Sequence, residues 1–231
     1  MYSVIITLLF GLLSAFMSFF MFYYTNKKIE LIDTSIENNE ENDIPCLKKY
    51  EKNVYSLISL IVIIVLSALS GFIISKNAVS ITALIMLGVS YIVLLGAAVI
   101  DYKLKIIPNF FPLVLIISRI LILIYEFIFT NTVVASFLSS LIGFFLSGLL
   151  LIIANKLSKG GIGAGDIKLL ASLGLMCGVY VAFSTLLLAL IACILISLIL
   201  IALKKKTSKD VMPFGPFIYI GYLVMCLFTL Y

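Results

Sequence analysis

The chain contains no histidine, and its four cysteines, Cys46, Cys177, Cys193 and Cys226, stand singly with no CxxC pair. The usual ligand sets of a protein zinc site are missing, so no metal centre is expected. Three of the thiols lie inside apolar segments, where a thiol behaves as a small hydrophobe. Charge is also scarce. Of 231 residues 12% are charged and 63% hydrophobic, with a mean hydropathy of +1.26, far from the composition of a soluble domain. Alternating strands of ~10 residues do not occur, whereas apolar runs of about 20 residues recur, which excludes a barrel and predicts an all-α, polytopic membrane protein.

Residues 1–26 carry no charge, so the first apolar segment lacks the basic start of a secretory signal peptide. A retained helix over 2–24 is expected. Lys27 and Lys28 follow it, which places the N-terminus outside. The polar stretch 25–54 holds seven acids against five lysines, and its Asn38–Asp43 run reads as solvated loop. Further spans are expected over 55–75, 79–100, 110–130, 132–154 and 212–231. The tract Ile167–Leu203 is too long for one helix and short for two; a split near Gly178–Ser184 brings the total to about eight. The chain thus divides into 1–54, one helix and its loop, and a membrane-embedded domain over 55–231.

If loops 25–54, 101–109, 155–168 and 204–210 share one side, that side holds fourteen of the sixteen Lys and Arg residues. So lopsided a count assigns it to the cytoplasm. Outside the first loop only four acids remain, Asp101, Glu126, Asp166 and Asp210. Asp101 ends one expected span and Asp166 opens another, with a helical hairpin between, so both belong at the cytoplasmic boundary. A carboxylate at membrane depth costs roughly 2.5 to 3.5 kcal/mol on the insertion scale, and two at one depth ask for a reason. Arg119 and Glu126, seven apart on one face of a span, read as an internal ion pair.

Asp166 follows Gly160-Gly161-Ile162-Gly163-Ala164-Gly165, which reads as a tight, non-helical turn. The turn does not fit nucleotide. Counted from Gly161, the third glycine of a dinucleotide fingerprint falls on Asp166, and a P-loop would need Lys and Ser or Thr where Asp166 and Ile167 stand. Two carboxylates in a poorly solvated site hold one proton between them, which suits peptide hydrolysis without metal or histidine. A loop bare of side chains lets an extended substrate approach and pair. The plainer alternative is that Asp101 caps a helix end and Asp166 meets a helix dipole. Lys168, about 200° round a helix from Asp166, is expected to anchor at the interface rather than pair with it. Ile107-Pro108-Asn109 breaks the chain before the next span, and Pro213-Phe214-Gly215-Pro216-Phe217 stiffens the lead-in to the last.

Three signatures carry a family resemblance: Ala97-Ala98-Val99-Ile100-Asp101 through Ile107-Pro108-Asn109, then Gly161-Ile162-Gly163-Ala164-Gly165-Asp166-Ile167-Lys168, then Pro213–Phe217. In order and spacing the chain resembles the type IV prepilin peptidases, GxGD intramembrane aspartyl proteases, across 55–231. The resemblance implies a catalytic pair Asp101 and Asp166, with Gly161, Gly163, Gly165, Pro108, Asn109 and Lys168 about the substrate. It also implies a bacterial plasma-membrane enzyme cutting the short basic leader from prepilin or pseudopilin precursors, with no nucleic-acid partner. Many members carry paired cysteines in the first loop and a Gly-Ser-Phe-Leu-Asn-like motif in the first helix. Here only Cys46 and Ser14-Ala15-Phe16-Met17-Ser18 stand there. S-adenosylmethionine is therefore implied only where N-terminal methylation is retained, and the peptidase reaction is expected to need no cofactor. A transporter using Asp101 and Asp166 as a proton or cation relay is the rival expectation; it would put them near the midplane on broken helices. A non-catalytic assembly subunit is a second.

Overall fold

The structure is a computed structural model that describes residues 80–130, 133–158, 160–204 and 212–228. These fall in one compact unit, Phe72–Tyr231. They form five helices: α1 (Ile81–Leu104), α2 (Phe110–Phe129), α3 (Val133–Leu157), α4 (Ala164–Ala202) and α5 (Gly215–Phe228). The first four are long and apolar enough to cross a membrane, and α5 is a shorter apolar helix. The expected helices over 2–24 and 55–75, and the loop 25–54, lie outside the described residues.

Helix α1 is the most buried of the four membrane-length helices. Ser80 caps its start, the hydroxyl accepting the Ala83 N–H at 3.1 Å. Its small residues Gly88, Ser90, Gly96, Ala97 and Ala98 let neighbouring helices come close. The helix runs four residues beyond the expected end at 100. Nothing in Asp101-Tyr102-Lys103-Leu104 breaks it until Lys105 turns left-handed at φ 53°, donating its N–H to the Asp101 carbonyl at 2.8 Å. Asp101 therefore sits in the last turn rather than at the tip.

Helix α2 buries one stripe, Phe111, Leu115, Arg119, Ile122 and Glu126. As expected from their spacing, Arg119 and Glu126 meet, with Nη1 and Oε1 3.5 Å apart. The guanidinium also donates to Ser140 Oγ at 2.9 Å and to Ser136 Oγ at 2.6 Å, tying α2 to α3. Helix α3 packs on α4 through Ser140, Gly143, Ser147 and Gly148. A side chain on Gly143 would strike the Gly174 carbonyl, and one on Gly174 would strike Gly143. Ser147 Oγ bridges the two helices, donating to the carbonyl oxygens of Gly143 at 2.6 Å and Leu170 at 3.2 Å.

The long tract is two helices joined at a kink. Gly178, with φ 84° and ψ 176°, breaks it into arms 164–177 and 179–202, at the near edge of the expected window. The second arm turns back. Thr185 and Ala189 lie against Gly221, and Ser197 reaches Met212 just ahead of α5. Helix α5 is held to α1 by the Tyr91 and Tyr219 hydroxyls, 3.0 Å apart, and by Tyr222 donating to the Leu87 carbonyl at 2.6 Å.

Candidate active site

The turn before α4 is narrower than the glycine run suggests. Helix α4 starts at Ala164 with Gly163 as its N-cap, so Gly165 and Asp166 already lie in the first turn. Helix formation there corrects the expectation of a non-helical stretch up to Asp166. The Asp166 and Ile167 N–H groups find the Gly163 carbonyl, at 3.1 and 3.3 Å, and this closes the first turn despite the glycines. Gly160, at φ 91°, is where the chain needs the conformation that glycine tolerates.

Two further glycines are demanded by close approach. A Cβ on Gly163 would lie 2.9 Å from Asp166 Oδ2, and one on Gly165 would lie 2.9 Å from the Ile107 Cβ. Gly165 thus lets the Ile107-Pro108 segment press against α4 beside the carboxylate. Ile107 is buried, Pro108 half-buried and Asn109 exposed.

Asp101 and Asp166 are brought together at one end of the bundle. Asp101 is 5% exposed and Asp166 9%, and Asp166 feels the charge of Asp101. Their surroundings differ. Asp101 Oδ2 accepts the Gly215 N–H at 2.7 Å. Asp166 interacts with the Gly163 N–H, but its Oδ1 is buried with no hydrogen-bond partner among the described residues. A buried carboxylate oxygen without a partner costs free energy unless something not part of the fold, such as water or substrate, occupies that position.

Of the residues the resemblance places about the substrate, Gly163 lies against the Asp166 carboxylate and Gly165 against Ile107, the neighbour of Pro108. Gly161 is exposed on the approach. Lys168 turns from Asp166, donating through Nζ to Asn109 Oδ1 at 3.1 Å and bridging α4 to the start of α2. Gly215 is the residue whose contact was missed. A Cβ there would come within 2.9 Å of both the Asp101 Cβ and Oδ2. The Pro-Phe-Gly-Pro segment carried the signal, though nothing in it says that the glycine N–H meets a carboxylate.

A cleft of about 610 Å3, which neither carboxylate lines, lies between α2, α3 and the first arm of α4. Pro112, Leu113, Phe145, Leu149 and Ile167 line it, with Asn109 and Lys168 as its polar members.

Residues 88–198, which contain both carboxylates and the glycine turn, match the model of the type IV leader peptidase family. No curated protein and no solved structure matches the chain. With apolar helices long enough to cross a bilayer, this is an integral membrane protein. Through residues 88–198 the chain is similar to the type IV leader peptidase family.

Proposed function

We propose that the protein is an intramembrane aspartic endopeptidase that removes the short basic leader from type IV prepilin or pseudopilin precursors at the cytoplasmic face of the bacterial plasma membrane. The observation that carries this is the pairing of two buried carboxylates from distant parts of the chain, one with an oxygen left unsatisfied. Neither helix capping nor the helix dipole accounts for both. Asp101 is in the last turn of its helix, where the dipole disfavours an anion.

In the reaction one carboxylate takes a proton from water as the water oxygen attacks the scissile carbonyl carbon. The other carboxyl gives its proton to the carbonyl oxygen, forming a neutral gem-diol. On collapse a gem-diol hydroxyl returns its proton to the second carboxylate as the carbonyl re-forms, and the first carboxyl gives its proton to the leaving amine as the C–N bond breaks, so that one proton again remains on the pair. The Asp166 Oδ1 is the position from which such a transfer needs no hydrogen bond to be broken. Two carboxyl groups and water suffice.

The glycine turn, with Gly161, Gly163 and Gly165, leaves room for extended substrate backbone. Pro108, Asn109 and Lys168 border the same space, and the apolar cleft beside them supports a substrate that continues into an apolar segment. The relay alternative is disfavoured by the break at Gly178. It lies twelve residues, about 18 Å, from Asp166, and the carboxylates sit at helix ends instead.

Co-expression with a prepilin precursor tests the reading. Wild type shortens the precursor on a gel, whereas Asp101→Asn and Asp166→Asn each leave it full length, with a rate loss of at least about a thousandfold. Normal processing by either variant overturns it.

A further inference from the structure

The glycine turn is not free to find its own position. The carbonyl of Asn155, near the C-terminal end of α3, accepts the Gly160 N–H at 2.9 Å. The Asn155 side-chain Oδ1 accepts the Ile162 N–H at 3.1 Å. Between them, Ser158 Oγ accepts the Gly161 N–H at 3.2 Å and donates to the Asn155 carbonyl at 3.2 Å. Three consecutive N–H groups of the turn are thus held by the end of α3. The next residue is Gly163, whose N–H faces the Asp166 carboxylate and whose α-carbon leaves no space for a side chain beside Oδ2.

We infer that Asn155, assisted by Ser158, is a positioning residue: its side-chain amide fixes the glycine turn so that Gly163 holds the Asp166 carboxylate in its reactive orientation. The inference rests on the peptidase reading. Asn155 touches neither carboxylate, and its effect passes through Ile162 and Gly163. An amide serves because the Ile162 N–H needs an acceptor. Without it the turn keeps the Gly160 bond to the main chain but loses the hold adjoining Gly163. A displacement of about 1 Å at a reacting group is enough to cost on the order of a hundredfold in rate.

The test measures cleavage of a prepilin precursor by purified enzyme in detergent, comparing wild type, Asn155→Leu, Asn155→Asp and Ser158→Ala. Asn155→Leu keeps the branched shape and loses the acceptor; its kcat is expected to fall about ten- to a hundredfold, with KM changed less than about threefold. Asn155→Asp keeps the acceptor and is expected within about threefold of wild type. If Asn155→Leu does not accumulate, Ser158→Ala carries the test, with an expected several-fold fall in kcat. Wild-type kcat in Asn155→Leu, or in Ser158→Ala where it stands in, overturns the inference. So does an equal loss in the Leu and Asp variants, which would point to packing rather than the hydrogen bond. An inactive wild type would instead overturn the peptidase reading.

Discussion

At the scale of single residues, the site is defined as much by missing side chains as by the carboxylates. Gly163 and Gly215 each lie within 2.9 Å, measured from the Cβ they lack, of a carboxylate oxygen. Gly215→Ala would push Asp101 from the Gly215 N–H while adding only a methyl to the bundle. Leader cleavage is expected to fall about ten- to a hundredfold with thermal stability nearly unchanged, as read by cleavage rate beside a melting curve in detergent. The buried pair on α2 makes the contrasting case. Arg119 is 2% exposed and bonded to both Ser136 and Ser140, so Arg119→Leu leaves Glu126 as an uncompensated buried charge. That costs about 3 to 5 kcal/mol, and should appear as a loss of folded protein. In Arg119→Leu combined with Glu126→Leu much of it is expected to return. Residue identity exposed these partners unequally. The Arg119 and Glu126 spacing disclosed their meeting, whereas Asn155 is one polar residue near the end of an apolar run, and no local pattern ties it to Ile162.

Among the elements, the spans were legible because apolar runs of membrane length admit little else, and α1, α2 and α3 begin within two residues of where the runs suggested. Their ends were less so. Helix α1 passes its expected end because Asp101 and Lys103 do not terminate helices, and a left-handed Lys105 has no sequence signature. The start of α4 was misread for the converse reason. Glycine disfavours helix by only about 1 kcal/mol per residue, and two helical bonds to the Gly163 carbonyl outweigh it. The contact of α3 with α4 depends on Gly143 and Gly174, which face each other with no room for a methyl. Gly143→Leu is therefore expected to part the two helices, abolish cleavage and lower stability by about 3 kcal/mol or more, whereas Gly148→Ala, whose added Cβ would make ordinary contact with Ala171 at 3.4 Å, costs under about 1 kcal/mol. Melting curves of the two variants separate close helix approach from general sensitivity of α3.

For the molecule as a whole, the distribution of lysines carries the expectation of sidedness. Loops 101–109, 155–168 and 204–210 hold nine lysines, and the described parts of the first two lie at the carboxylate end of the bundle, where Ile107 meets Gly165. In a cysteine-free background, Lys105→Cys and Ser158→Cys are expected to resist a membrane-impermeant maleimide in intact spheroplasts and to react once the membrane is opened. Labelling from outside would reverse the orientation. What no run of residues could convey is the assembly of one site from the end of α1, the start of α4 and the start of α5. These lie more than forty residues apart in sequence and meet only through the folded bundle.

The reversal at Gly178 sets how far the arm that carries Asp166 extends. The first arm of α4 is about 21 Å long, well short of a hydrocarbon core of about 30 Å. It ends alongside Met86 and Ser90 of α1, where Cys177 Sγ lies 3.1 Å from Ser90 Oγ, with Gly143 closed against it. Its turning point is thus clamped by protein in the interior, not floated by the head groups. A bilayer that swells or thins by a few ångströms is therefore expected to leave the two acids level with each other, because contacts between helices set their alignment.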